Sequence, residues 1–170
     1  MKNKKLVNLV LAAMIAALYA AATYLSAAFN LAYGAIQFRL SEALTILPVF
    51  TPAAIPGLTI GCVLGNITSP YGIWDILIGS AATLLAALCT RALRNVRIKG
   101  LPFLSLMMPV VFNAVLIGLE ITFYLSDSAS LSGFLLCAAE VALGETVVCL
   151  AGGIPLYYIV RKHSLFGRFQ

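Results

Sequence analysis

The sequence predicts an all-α integral membrane protein, a six-transmembrane-helix bundle with both termini in the cytoplasm. Hydrophobic residues make up 62% of the 170-residue chain and charged residues only 10%, whereas a soluble domain carries roughly 25% charged residues. Ten of the eleven Lys and Arg residues lie in three patches beside apolar runs, which is the pattern of cytoplasmic loops and ends. We therefore expect a single membrane domain over residues 1–170.

The first helix is predicted at about residues 6–29, an uncharged run longer than the apolar core of a signal peptide, which has about 7–15 residues. Its alanines form two rows with four-residue spacing, so each row lies on one helix face. Small residues at this spacing let another helix approach closely, which favours a docking face; the alternative is simply an Ala-rich helical span. The rows are Ala12, Ala16 and Ala20, and Ala13, Ala17 and Ala21.

The second and third helices are predicted at about 42–56 and 57–68, around the proline-rich stretch 51–57. These runs form either one long kinked helix or a hairpin of two short helices. Two crossings place all three basic patches on one side, so we predict the hairpin. Both helices are short for a bilayer core of about 30 Å, which needs about 20 residues, and we expect them to be tilted, kinked or shielded.

The remaining helices are predicted at about 74–90, 101–125 and 133–160. The last run is longer than a simple crossing and must tilt or extend into the interface. Between the fourth and fifth helices lies a basic loop, residues 91–99, on the predicted cytoplasmic side.

Acidic side chains mark the predicted site, because in this topology each lies in an outer loop or within a span. An ionisable group inside the bilayer costs about 2.5–3.5 kcal/mol on insertion scales and normally marks a pathway or a site. We therefore expect an outward-opening pocket for a cationic or donor-rich ligand. The alternative is that each acid is a structural partner of Arg39 or of a loop amide. The acids are Glu42, Asp75, Glu120, Asp127, Glu140 and Glu145.

Spacing indicates which polar groups lie together. Asn113 and Glu120 are seven residues apart and share one face of the fifth helix. Glu140 and Glu145 are five apart, roughly 140° around a helix, so both cannot point into one pocket, and spacing leaves open which one does. Trp74 beside the pocket mouth fits either an interfacial belt or a lid that stacks on a flat ligand.

The sequence lacks the signature motifs of several function classes. There is no P-loop, no HExxH and no Ser/His/Asp or Cys/His set, and the single histidine lies in the basic tail. We expect no enzymatic activity, no catalytic residues and no metal. The four cysteines lie in apolar runs and are interpreted as small buried hydrophobes. Because the basic residues flank membrane segments, we expect a lipid bilayer and no nucleic acid as the partner.

Four motifs carry a resemblance to a known family: RLSEALTILPVFTPAAIPG, PYGIWD, FNAVLIGLE and GETVVCLAGGIPL. The chain resembles the QueT family of queuosine-precursor transporters, which are substrate-binding S components of energy-coupling factor transporters. The resemblance implies a six-helix protein in a prokaryotic plasma membrane that binds substrate from outside. It also implies docking, through the alanine rows, on a T subunit and two ATPase subunits, which use the ATP. No cofactor is implied in this chain.

The implied ligand is a deazaguanine base such as preQ1, preQ0 or queuine. One carboxylate can accept its ring N–H and exocyclic amine, an amide can donate to its carbonyl, and a second carboxylate would stabilise an added ammonium. The alternatives are an S component for another vitamin-like heterocycle and a non-transport membrane assembly protein. The predicted substrate-binding residues are the carboxylates Glu145 and Glu120, the amides Asn113 and Gln37, the rim pair Glu42 and Arg39, the aromatics Trp74 and Tyr71, and also Asn66 and Glu140.

Overall fold

The computed structural model describes residues 3–33, 36–125 and 130–163, and its regular structure is helical. Asp127, one of the six acids, and Lys2 and Arg168, which belong to the basic patches at the two ends of the chain, lie outside the described residues. The α-helices are α1 Lys4–Ala28, α2 Ala54–Gly65, α3 Ile73–Ala92, α4 Phe103–Leu125, α5 Leu131–Val148 and α6 Ile154–His163. A 3₁₀ segment covers Leu40–Val49, a 3₁₀ turn covers Asn66–Thr68, and a π-helical segment, Cys149–Gly153, joins α5 to α6.

Four helical stretches are long and apolar enough to cross a membrane, as expected of a multi-pass membrane protein. They are Lys4–Ala28, Ile73–Ala92, Phe103–Tyr124 and the continuous stretch Leu131–His163. Each begins and ends within three residues of a predicted helix. Two shorter apolar helical stretches, Leu40–Val49 and Ala54–Thr68, occupy the region of the predicted hairpin.

The hairpin differs from the prediction in where it breaks and in its first helix. The first element ends at Val49 rather than near residue 56, and it is a 3₁₀ helix. Pro56 lies in the first turn of α2, where proline is tolerated because its missing N–H has no helical partner anyway. At about 2 Å per residue the ten-residue 3₁₀ segment spans only about 20 Å. Both elements are therefore short, as the sequence predicts.

The 3₁₀ segment Leu40–Val49 is the central element of the bundle. It contacts all six α-helices and the π segment. Around it, α1 packs along α2, α2 along α3, α3 along α4 and α4 along α5. Buried Leu47 belongs to an apolar cluster with Ile15 and Leu58, and Ile46 belongs to another with Leu106 and Tyr157. The first half of the predicted hairpin is therefore enclosed by the other helices.

Close packing between α1 and α2 uses one of the two alanine rows. Gly61 of α2 lies so near α1 that an added Cβ would be 2.7 Å from Tyr19 Cβ and 2.9 Å from the Ala16 carbonyl oxygen. Ala12, Ala16 and Ala20 are consequently buried. In the other row, Ala13, Ala17 and Ala21 are exposed. Of the two rows predicted as a docking face, the first therefore packs against α2 inside the bundle, whereas the second is exposed.

We predict that Gly61→Ala destabilises the bundle, since the new methyl would have to push α1 away from α2. Overpacking of this kind typically costs about 1–3 kcal/mol. Thermal unfolding in detergent, followed by circular dichroism, measures the effect. Gly133→Ala is the control, because among the described residues the added Cβ would approach only the Ser130 hydroxyl, at 3.1 Å, and a Thr122 methyl. Equal unfolding temperatures for Gly61→Ala and the unsubstituted protein would contradict the packing argument.

Candidate ligand site

Six buried polar side chains from different elements meet inside the bundle, and we call them the polar centre. Each exposes 5% or less of its surface. Buried polar groups of this kind nearly always have hydrogen-bond partners, so their pairing shows what the site can still bind. The residues are Arg39 before the 3₁₀ segment, Glu42 within it, Asn66 after α2, Asp75 on α3, Asn113 on α4 and Glu145 on α5.

Asn66 connects the cation of the polar centre to one of its acids. Arg39 Nη2 donates a hydrogen bond to Asn66 Oδ1 at 2.8 Å. Asn66 Nδ2 donates to the Asp75 carbonyl oxygen at 2.9 Å and to Asp75 Oδ1 at 3.2 Å. The Arg39 Nε atom is buried without a hydrogen-bond partner among the described residues. This chain of contacts joins the ends of α2 and α3 to the start of the 3₁₀ segment.

Two other acids each keep one carboxylate oxygen available. Glu42 accepts a hydrogen bond from the Tyr19 hydroxyl of α1, and Glu145 accepts one from Asn113 Nδ2 at 2.8 Å. The second oxygen of each carboxyl group is buried without a partner among the described residues. Glu42 and Glu145 are also close enough to interact electrostatically. Together they present two unused acceptors, which suits a ligand with several donors.

A cavity of about 450 Å³ lies between α3 and α4, beside the polar centre, and we call it the side cavity. Glu120 lines it, is 5% exposed, and has both carboxylate oxygens without a partner among the described residues. Trp74, 58% exposed, stands at its surface. Tyr71 packs edge-on against a lining residue, Tyr124, with ring centroids 5.1 Å apart. The lining residues are Trp74, Ile78, Leu116, Leu119, Glu120, Phe123 and Tyr124.

The segment before Arg39 reaches α5 next to Glu145. Gln37 is 3% exposed, and a Cβ added at Gly144 would overlap the Gln37 carbonyl oxygen. Only glycine lets the two backbones approach this closely. Gln37 thus lies beside the polar centre, with its main chain against Gly144.

The structure distinguishes the two acids of α5 that spacing could not separate. Glu145 is 2% exposed and bonded to Asn113. Glu140 is half-buried, outside the polar centre. Glu145 is therefore the acid that faces the interior.

Two members of the site region are absent from the substrate-binding residues predicted above. Asp75 is included there only among the acids that mark the pocket, yet it is 3% exposed and bonded to Asn66. Tyr19 was passed over within the alanine-rich run, yet it is fully buried against Glu42. Tyr19 lies three residues after Ala16 and so shares its helix face, but spacing alone does not show that this face is the buried one.

In the described part of the chain, no group of three or more His, Cys, Asp or Glu residues could hold a metal ion. The available chemistry is recognition by carboxylates, amides, one guanidinium and aromatic rings.

Comparison with known proteins identifies the family. A family model for the QueT transporter matches residues 9–162. The chain belongs to the QueT transporter family. The resemblance of the sequence motifs is thereby confirmed, and the family is one of transporters rather than enzymes. No solved structure matches the chain.

A curated relative of the QueT family, "Queuosine precursor transporter QueT" of Lactococcus lactis subsp. cremoris (strain MG1363), is 36% identical over 85 residues. That alignment covers 50% of this chain and 50% of the relative. The chain thus spans about half the length of the curated relative that it matches.

We predict that Gly144→Ala displaces the segment around Gln37 from α5, because the added methyl cannot share space with the Gln37 carbonyl oxygen. The change should lower the free energy of unfolding by about 1–3 kcal/mol and increase protease cleavage near residues 36–39. Limited proteolysis with mass spectrometry measures the second effect. Gly133→Ala on the same helix is the control, and a cleavage pattern like that of the unsubstituted protein would contradict this account.

Proposed function

We propose that the chain is the substrate-binding S component of an energy-coupling factor transporter that imports a queuosine precursor. The single observation that carries this proposal is the Asn113–Glu145 pair, buried beside Glu42 with one oxygen of each acid unused. The family assignment and the name of the lactococcal relative, a queuosine precursor transporter, support the substrate class. The ligand is a deazaguanine base, bound from outside.

The pairing chemistry fits such a base. A deazaguanine presents a ring N–H and an exocyclic amine side by side, and one carboxylate can accept both in a charge-assisted pair. Glu145 is suited to this role because Asn113 orients one of its oxygens and leaves the other available. Glu42, held by Tyr19, offers a further acceptor. The Gln37 amide can donate to a ring carbonyl.

Contacts at both ends of the 3₁₀ segment support six crossings with both termini inside. At its start, Arg39 contacts Asn66, which binds Asp75 at the beginning of α3. At its end, Arg91 Nη1, in the last turn of α3, donates to the Pro48 carbonyl oxygen at 3.0 Å. The segment thus extends alongside α3, from the acidic end of the bundle to the basic loop. In a prokaryotic plasma membrane the basic loop would face the cytoplasm.

Transport also needs partners that this chain would recruit. We propose that the exposed row Ala13, Ala17 and Ala21 docks on a T subunit, because small residues permit close helix packing in lipid. Two ATPase subunits bound to the T subunit would supply the energy.

Calorimetric titration of the purified protein with queuosine precursors tests the proposal. Saturable binding of at least one deazaguanine, with guanine as the competitor, is the expected result. Binding of a different flat heterocycle in preference to every deazaguanine would keep the S-component role and replace the substrate. Absence of any small-molecule binding, together with no ATP-dependent uptake in the presence of partner subunits, would favour a membrane assembly protein instead.

Glu145→Gln should weaken precursor binding by about 1.5–3 kcal/mol, the value of a hydrogen bond to a charged group, or roughly 10–150-fold in the dissociation constant. Glu140→Gln makes the same chemical change on the same helix, outside the polar centre, and should bind like the unsubstituted protein. Titration calorimetry of the two variants side by side measures the difference. Equal affinities for both variants would remove Glu145 from the site.

Ala17→Leu should abolish co-purification with the T subunit and leave precursor binding intact, because the larger side chain would prevent a close helix approach. Ala81→Leu, at an exposed position on α3, introduces the same change on another surface and should retain the T subunit. Affinity purification from cells that express all subunits measures both. Normal recovery of the T subunit with Ala17→Leu would show that the exposed row faces lipid.

A further inference from the structure

The side cavity contains a carboxylate that has no hydrogen-bond partner in the part of the chain that the structure describes. Glu120 is 95% buried, and neither of its oxygens has a partner among the described residues. A buried ionised carboxylate is costly unless it is paired. The remaining lining of the cavity is apolar or aromatic, so the lining itself provides no cation for Glu120.

Among the described residues, none of the charged groups near Glu120 forms a hydrogen bond with it. Asp75 and Arg39 both lie within electrostatic range of Glu120. Asp75 carries the same charge, and Arg39 directs its Nη2 atom to Asn66. The geometry therefore leaves Glu120 available to a positive group from outside the chain.

The aromatic lining suits a cation attached to a flat ring. Trp74, Phe123 and Tyr124 border the same cavity as Glu120, and aromatic faces attract cations within about 6 Å of the ring centre. The cavity volume of about 450 Å³ lies within the range of roughly 300–1,000 Å³ that is typical of small-molecule sites.

Glu120 and Glu145 are placed to act on different parts of a ligand. Asn113, the partner of Glu145, and Glu120 are seven residues apart on α4, or about 10 Å along the helix axis. One carboxylate can bind the edge of a heterocycle while the other binds a substituent.

We propose that Glu120 and the side cavity form an ammonium subsite, so that the chain prefers a deazaguanine with a cationic aminomethyl arm to one with a neutral nitrile. This inference rests on the proposed function, because it assumes that the heterocycle binds at the polar centre. It adds to that function the residue that would select among the precursors.

The test compares two ligands with the same deazaguanine ring and different substituents at one position, a cationic aminomethyl group in 7-aminomethyl-7-deazaguanine and a neutral nitrile in 7-cyano-7-deazaguanine. The unsubstituted protein should bind the amine at least tenfold more tightly. Glu120→Gln should lose at least tenfold in affinity for the amine and change less than about threefold for the nitrile, which serves as the internal control. Glu120→Asp keeps the charge and should retain part of the preference. Calorimetry gives the six dissociation constants, two for each of the three proteins, and circular dichroism confirms that the variants are folded.

Three outcomes would overturn the inference. Glu120→Gln could weaken both ligands equally, which would make Glu120 a general structural residue. It could weaken neither, which would leave the side cavity outside the site while the proposed function survives. Finally, neither compound could bind the unsubstituted protein, and that result would remove the proposed function together with this inference.

Discussion

An imbalance of buried charge is the constraint on which the rest of this molecule depends. Among the described residues one guanidinium, Arg39, is buried with four carboxyl groups, those of Glu42, Asp75, Glu120 and Glu145. Charges removed from water need partners, because desolvation costs several kcal/mol per ion. Some of the hydrogen bonds that these charged groups need come from Tyr19, Asn66 and Asn113. In the proposed function, a donor-rich and cationic ligand supplies the remainder.

The helical framework positions these groups through close contacts between backbone segments. Gly61 and Gly144 remove side chains at two close approaches, one between α1 and α2 and one between the Gln37 segment and α5. At the other end of the bundle, Arg91 bonds to the Pro48 and Val49 carbonyl oxygens, which a 3₁₀ helix would otherwise leave unpaired at its end. The short central segment can therefore remain buried although it lacks the length of a full membrane helix.

Sequence alone could predict the long helices and the family, but not the rotation of each helix. Length and hydropathy set the limits of α1, α3 and α4, because lipid imposes a minimum span. They could not distinguish a 3₁₀ helix from an α-helix in the run after Arg39, since apolar periodicity is weak in both when every face is buried. Spacing left Glu140 and Glu145 as alternatives, and only packing against Asn113 selects Glu145.

Two residues show why long-range contacts escape such reasoning. The partner of Tyr19 is Glu42, 23 residues away in the chain, and the partner of Asp75 is Asn66, which lies on the other side of a proline turn. Neither pair has a spacing that a helix or a hairpin would bring together by itself. The alanine rows show a second limit of spacing arguments. Both rows have the same periodicity, and only the neighbouring α2 determines which one is buried.

The polar centre and the side cavity differ in how exposed their residues are. The polar centre is closed in this conformation, since its six members are each at least 95% buried and Gln37 is seated against α5. The side cavity, in contrast, is bordered by Trp74 and Phe123, which are 58% and 70% exposed. In the proposed function, the exposed border of the side cavity makes Glu120 the first carboxylate that a ligand reaches. Because attraction between opposite charges acts over a longer distance than hydrogen bonding, an ammonium arm would contact Glu120 before the heterocycle contacts Glu145.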